Sequence, residues 1–250
     1  MISGLNKFKH HFKDCPDGYV LIGGVACELV LEQLGLEFRP TVDFDIVVVL
    51  EVIKKGFDKE LKKFIKAGKY QPATRKSGKY TFYKFIEPKN KEYPEILEIA
   101  SRSPHTDSDL PWIGQFAPID TIDSPNSISA ILFEEEYYHF IKRNIILIDG
   151  ISVLALDALI ILKILAWSEL KLVKYPSQEI ISKATKHLQD IFRLGRAISG
   201  NSLAVTAKIS LELNKSLNRL SDEEIDIVPL GITEATSKEI IEEIRDHYKC

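Results

Sequence analysis

The chain has 250 residues, 45% of them apolar and 28% charged, with a formal charge of -3. That balance belongs to a globular chain with room for one large or two small domains. It excludes a strongly basic protein that coats nucleic acid, though not a local basic patch.

Cys15, Cys27 and Cys250 fit no CxxC or Cys/His zinc spacing and read as free thiols of a reducing compartment. The first residues, Met1 to Pro16, carry Lys7, Lys9, His10, His11 and Lys13 and lack the apolar core of a signal peptide. The longest apolar run, Ala158 to Trp167, contains Lys163 and falls short of the roughly 20 residues needed to cross a bilayer. The expectation is a cytoplasmic protein with no membrane partner.

In chain order, Leu5 to Phe12 predicts a short helix, and Tyr19 to Ile22 a short strand running into Gly23-Gly24. Val25 to Leu34 has helical spacing, with Gly35 as its stop. Val42 to Leu50 is the next strand. Its second half, Ile46 to Leu50, is apolar on both faces, which predicts a central place in a sheet. Phe57 to Ala67 is amphipathic, with lysines outward. Tyr80 to Phe85 and Glu95 to Ala100 are further strands, separated by a loop from Glu87 to Pro94. Ser103 to Asp109 reads as another loop. Ile145 to Ile148 and Ile151 to Leu154, joined by Asp149-Gly150, have the pattern of a hairpin. Helices follow at Leu156 to Leu172, Gln178 to Ser199, Leu203 to Leu217 and Ser237 to Tyr248. The fold class is α+β, with an α+β half over residues 1–125 and a hairpin plus helical half over 126–250, the boundary being soft between about 125 and 150.

The chemistry concentrates early. Asp43 and Asp45 share one face of a strand, because side chains alternate with period two. Close carboxylates repel unless a cation lies between them, and magnesium suits them: it takes one or two carboxylates plus substrate phosphates. The plainer alternative is a solvated strand start. Gly23-Gly24, between strand and helix, brings bare amides to a helix N-terminus, which suits a phosphate; a tight turn without ligand is the alternative. Glu98 is a third candidate acid, competing with Glu95 on the opposite face. An edge acid facing water explains either.

Lys163 is the one charge in ALIILKILAW, so its ammonium needs a carboxylate or a bound phosphate, unless it snorkels to the edge. Lys186 and Asp190 are four apart on the following helix and can pair, in a cluster with Lys183 and His187 that also fits a solvated face.

The order Gly23-Gly24, Arg39-x-Thr41-x-Asp43-x-Asp45, a later strand acid, a helix with a lone lysine, then Lys186-His187-x-x-Asp190-Ile191, resembles the AbiEii/AbiGii toxin family. That family lies within the DNA polymerase β-like nucleotidyltransferase superfamily. YVLIGGVACELVLEQLGLEFRPTVDFDIVV carries the most specific part, with ALIILKILAWSEL and KATKHLQDIFRL behind it. The likeness covers roughly residues 1 to 200.

The resemblance implies a polymerase β-like domain with a mixed sheet, followed by helices. It implies that Gly23 and Gly24 hold the triphosphate of an NTP, that Asp43, Asp45 and Glu98 bind two magnesium ions, and that Arg39 and Thr41 support the metal strand. Lys163, Lys186 and Asp190 correspond to motifs near nucleotide. The implied reaction is in-line transfer of a nucleoside monophosphate to an RNA (such as a tRNA end), a protein or a small molecule, with an antitoxin as partner. Val25 departs from the pattern, standing where the family often has Ser or Thr. This departure allows a second reading, a nucleotide-binding or interaction module of the same fold that has lost transfer.

Overall fold

Short runs of branched and aromatic residues make the strands. In the computed structural model, which describes residues 2–49, 56–74, 80–100, 135–200, 203–223 and 225–249, they are β1 (Tyr19–Ile22), β2 (Asp43–Val48), β3 (Gln71–Thr74), β4 (Tyr80–Ile86), β5 (Ile96–Ala100), β6 (Ile145–Ile148) and β7 (Ile151–Leu154). They form one seven-stranded sheet in the order β3-β4-β5-β2-β1-β7-β6. The β2–β5 and β1–β7 pairs are parallel and the rest antiparallel, so the sheet is mixed. β2 takes the middle position, as its double-sided apolar run requires.

Eight α-helices accompany the sheet among the described residues: α1 (Leu5–Phe12), α2 (Gly23–Gln33), α3 (Asp58–Gly68), α4 (Glu135–Arg143), α5 (Leu156–Lys171), α6 (Gln178–Gly195), α7 (Ala207–Ser221) and α8 (Ser237–Tyr248). The protein is therefore α+β. None of these helices is long and apolar enough to cross a membrane.

The described residues fall into two compact units, the first within 2–29, 39–100 and 135–154 and the second within 30–38 and 155–249. The hairpin, which the sequence groups with the helices across a soft boundary near residues 125 to 150, lies in the first unit: β7 is parallel to β1 and extends the sheet, and the second unit resumes at Ala155. The reason is burial: all four residues of β7 are covered, and an apolar strand covered on both faces needs neighbours on both edges. The hairpin turn has the expected form, with Asp149 and Gly150 both at positive φ.

In the first unit, one face of the sheet is closed by an aromatic cluster. Phe8 of α1 packs tilted against Phe12 and Phe44 and edge-on against Tyr19 and Phe64, at centroid distances of 4.6 to 5.7 Å. Phe44 points into this cluster, so the alternation of β2 turns Asp43 and Asp45 to the other face. In the second unit α5 is the core helix, buried continuously from Ala158 to Ser168. α6, α7 and α8 are each started by a hydroxyl cap: Ser177, Thr206 and Thr236.

One described strand, β3, and one described α-helix, α4, lie where the sequence predicts neither. The expected loop at Ser103 to Asp109 lies outside the described residues.

Candidate active site

The site is built from a row of residues across four strands. Ile22 of β1 pairs with Asp45 of β2, Asp45 with Glu98 of β5, and Glu98 with Lys84 of β4. Directly paired residues present their side chains on the same face. Asp45, Glu98 and Lys84 are therefore lateral neighbours, and Asp43 shares their face two residues along β2. Glu98, not Glu95, stands level with the aspartates; Glu95 precedes β5.

The glycine pair lies at the end of this row. β1 ends at Ile22 and α2 begins at Gly23, whose φ is +68°, a left-handed value that favours glycine. Space makes the same demand: a Cβ on Gly23 would lie 1.8 Å from Oδ2 of Asp45, and one on Gly24 would lie 2.4 Å from Oγ1 of Thr41. The Asp45 carboxylate and the Thr41 hydroxyl thus rest directly on the diglycine bend. The next residue, Val25, is fully buried, so its side chain serves the core and presents nothing to a ligand at the bend. Arg39 is half-buried, with its guanidinium 3.5 Å from the carbonyl of Pro40.

The row holds a cation of its own. Nζ of Lys84 donates to Oε1 of Glu98 at 2.5 Å. Burial works against the charged ammonium. The hydrogen bond to Glu98 and the charges of Glu98, Asp43 and Asp45 outweigh it and hold the Lys84 pKa above the ordinary lysine value. The ammonium therefore feels all three acids of the row. The one sign of Lys84 in the sequence is a charge inside the strand YTFYKFI.

Carboxylate oxygens are hard donors that fit magnesium or manganese, and a cation already sits against this set. Among the described residues, however, no three His, Cys, Asp or Glu side chains are gathered as a ready metal cage. Asp43 and Asp45 present two carboxylates on one face of β2. Glu98 was expected beside them as a third ligand, and its carboxylate is engaged by Lys84.

The remaining candidates belong to the second unit. Lys163 of α5 is buried, and its ammonium donates to Oδ2 of Asp190 on α6 at 2.8 Å. The anion that the buried lysine requires is thus a carboxylate of the same unit. Arg193 approaches the other oxygen, Oδ1, at 3.8 Å. The sequence offered Lys186 as the partner of Asp190, but Asp190 turns inward to Lys163 while Lys186 stands exposed. Helical geometry allowed the i,i+4 pair; the desolvated lysine across the interface of α5 and α6 has the stronger claim on the carboxylate.

Compared with family models, with curated proteins and with solved structures, the chain matches none.

Proposed function

We propose that the protein is a magnesium-dependent nucleotidyltransferase of the polymerase β-like kind, with its active site on the first unit and its work in the cytoplasm. The observation that carries this reading is the seating of the Asp45 carboxylate on Gly23, which joins the acidic row to the amides that open α2. A helix N-terminus with bare glycine amides attracts the triphosphate of an NTP. Asp43 and Asp45, one strand away, hold the divalent cation that accompanies it. When bound, that cation lowers the charge on the reacting phosphate and on the leaving pyrophosphate.

The chain's own groups divide the remaining work. Gly23 and Gly24 orient the β- and γ-phosphates through backbone N–H donors. Thr41 supports the bend from its place over Gly24. An acceptor hydroxyl attacks the α-phosphorus in line; the new P–O bond forms as the bond to the β-phosphate oxygen breaks, and pyrophosphate leaves. Glu98, at the level of Asp45, takes the hydroxyl proton. The acceptor is an RNA end, a protein or a small molecule, and toxin action under an antitoxin partner follows from the family resemblance alone.

Two observations favour a second reading. Lys84 engages the third acid, and Val25 supplies no hydroxyl to the bend, as befits a nucleotide-binding module that has lost transfer. Incubation with each α-labelled NTP, magnesium, total RNA and total protein separates the two. The enzyme reading predicts label in an acceptor, lost in Asp43→Asn and Asp45→Asn. Label in neither wild type nor variants, with nucleotide still bound by wild type, favours the module.

A further inference from the structure

Lys84 is the one residue of the row that neither the glycine pair nor the aspartates explain. A lysine placed beside three acids at the mouth of a proposed cation site competes with that cation for the same negative field. Three features of the fold make the competition specific. Lys84 and Glu98 are direct partners in the β4–β5 ladder, so the ammonium is delivered to the row by backbone register and not by chance. Glu98 is in turn the direct partner of Asp45, so the same register delivers it to the carboxylate that lies on Gly23. And the pair is only half-buried, with 29% of the Lys84 side chain and 40% of the Glu98 side chain exposed, so water can receive the ammonium when it leaves.

We propose that Lys84 is a built-in counter-ion of the acidic row, displaced from Glu98 when a divalent cation binds at Asp43 and Asp45; this rests on the nucleotidyltransferase reading above. In the metal-free protein the ammonium relieves the repulsion among Asp43, Asp45 and Glu98. It also sets the cation affinity below what the carboxylates alone provide. On binding, the ammonium moves out toward solvent, and Glu98 becomes free to act as ligand or proton acceptor. The exchange conserves all bonds and protons: an ion pair opens and a metal–carboxylate contact forms.

Two measurements on the full chain, using manganese alone as the probe, test this. The first is calorimetric titration of Mn2+ into wild type, Lys84→Met and Asp45→Asn. The second is amine-selective labelling of wild type with and without saturating Mn2+, read residue by residue by mass spectrometry. The expected result is roughly tenfold tighter Mn2+ binding in Lys84→Met, loss of binding in Asp45→Asn, and increased labelling of Lys84 when Mn2+ is present. Equal or weaker binding by Lys84→Met, or Lys84 labelling unchanged by Mn2+, overturns the counter-ion role; the metal reading survives that result if Asp45→Asn still abolishes binding. Absence of Mn2+ binding from both wild type and Lys84→Met overturns the two together. Labelling of wild type decides the matter by itself if Lys84→Met does not fold.

Discussion

Two of the lysine–carboxylate pairs among the described residues differ in one respect above all. Lys163–Asp190 in the helical unit is sealed, with side chains 4% and 0% exposed, whereas Lys84–Glu98 on the sheet is open to water at 29% and 40%. A sealed pair is shut off from water, so each charge depends on the protein groups around it for its solvation. An open pair exchanges with solvent and ions, contributes little to stability, and is free to be rearranged by a ligand. The same residue chemistry thus reads as architecture in one unit and as chemistry in the other.

The largest test of that contrast is Lys163→Ala. It leaves the Asp190 carboxylate buried without its ammonium, and denaturant unfolding should show a loss of about 3–5 kcal/mol. Replacing both partners, as Lys163→Met with Asp190→Leu, should recover most of that loss. Recovery of none would mean that Lys163 and Asp190 do not act as a unit.

Next in size is Gly23→Ala. The φ of +68° and the 1.8 Å approach to Asp45 leave no room for a methyl group. A loss of about 1–3 kcal/mol is expected, together with loss of any nucleotide-dependent activity, because Asp45 must move. A variant as stable and active as wild type would dissociate the bend from the row. Smaller again is Lys84→Met, which should change unfolding free energy by less than about 1 kcal/mol. A loss matching that of Lys163→Ala would erase the contrast between the pairs.

The smallest effect sharpens the comparison with a third pair. Asp157 lies 3.5 Å from Nε2 of His247 in the helical unit. Burial raises the Asp157 pKa above its ordinary 3.8, and His247 only partly offsets this. The folded state therefore binds a proton that the unfolded state has released. Stability from this group is greatest below pH 3.8 and falls as pH rises through the interval up to the raised folded value. Asp157→Asn should flatten that part of the stability–pH curve, and an unchanged slope would remove Asp157 as its source.

These residues also mark what could be read from the sequence. β1, the second half of β2, β7 and α5 announce themselves as largely apolar runs, and the Asp149-Gly150 hairpin as a turn pair. The alternation Asp43-Phe44-Asp45 placed two acids on one face, which is how they lie. Lys84 could not be assigned to Glu98, because cross-strand register between β4 and β5 is a tertiary property that no local pattern encodes. Lys163 was legible as a buried charge needing an anion, but not which anion; helix packing in the second unit decided for Asp190. β3 is short and contains Pro72, which argues against a strand except at an edge, and an edge is where it lies. α4 carries acids in its first turn and Lys142 and Arg143 in its last. That dipole-matched signature was present in the sequence and masked by the aromatic residues between.

The most direct measurement is magnesium-dependent pyrophosphate release, taken with each NTP in the presence of cellular RNA and protein. Wild type should release pyrophosphate only when magnesium and one preferred NTP are present, and Asp43→Asn with Asp45→Asn should reduce the rate on the order of 100-fold or more. Equal release by wild type and the double variant would contradict the assignment of the acidic row as the reacting centre.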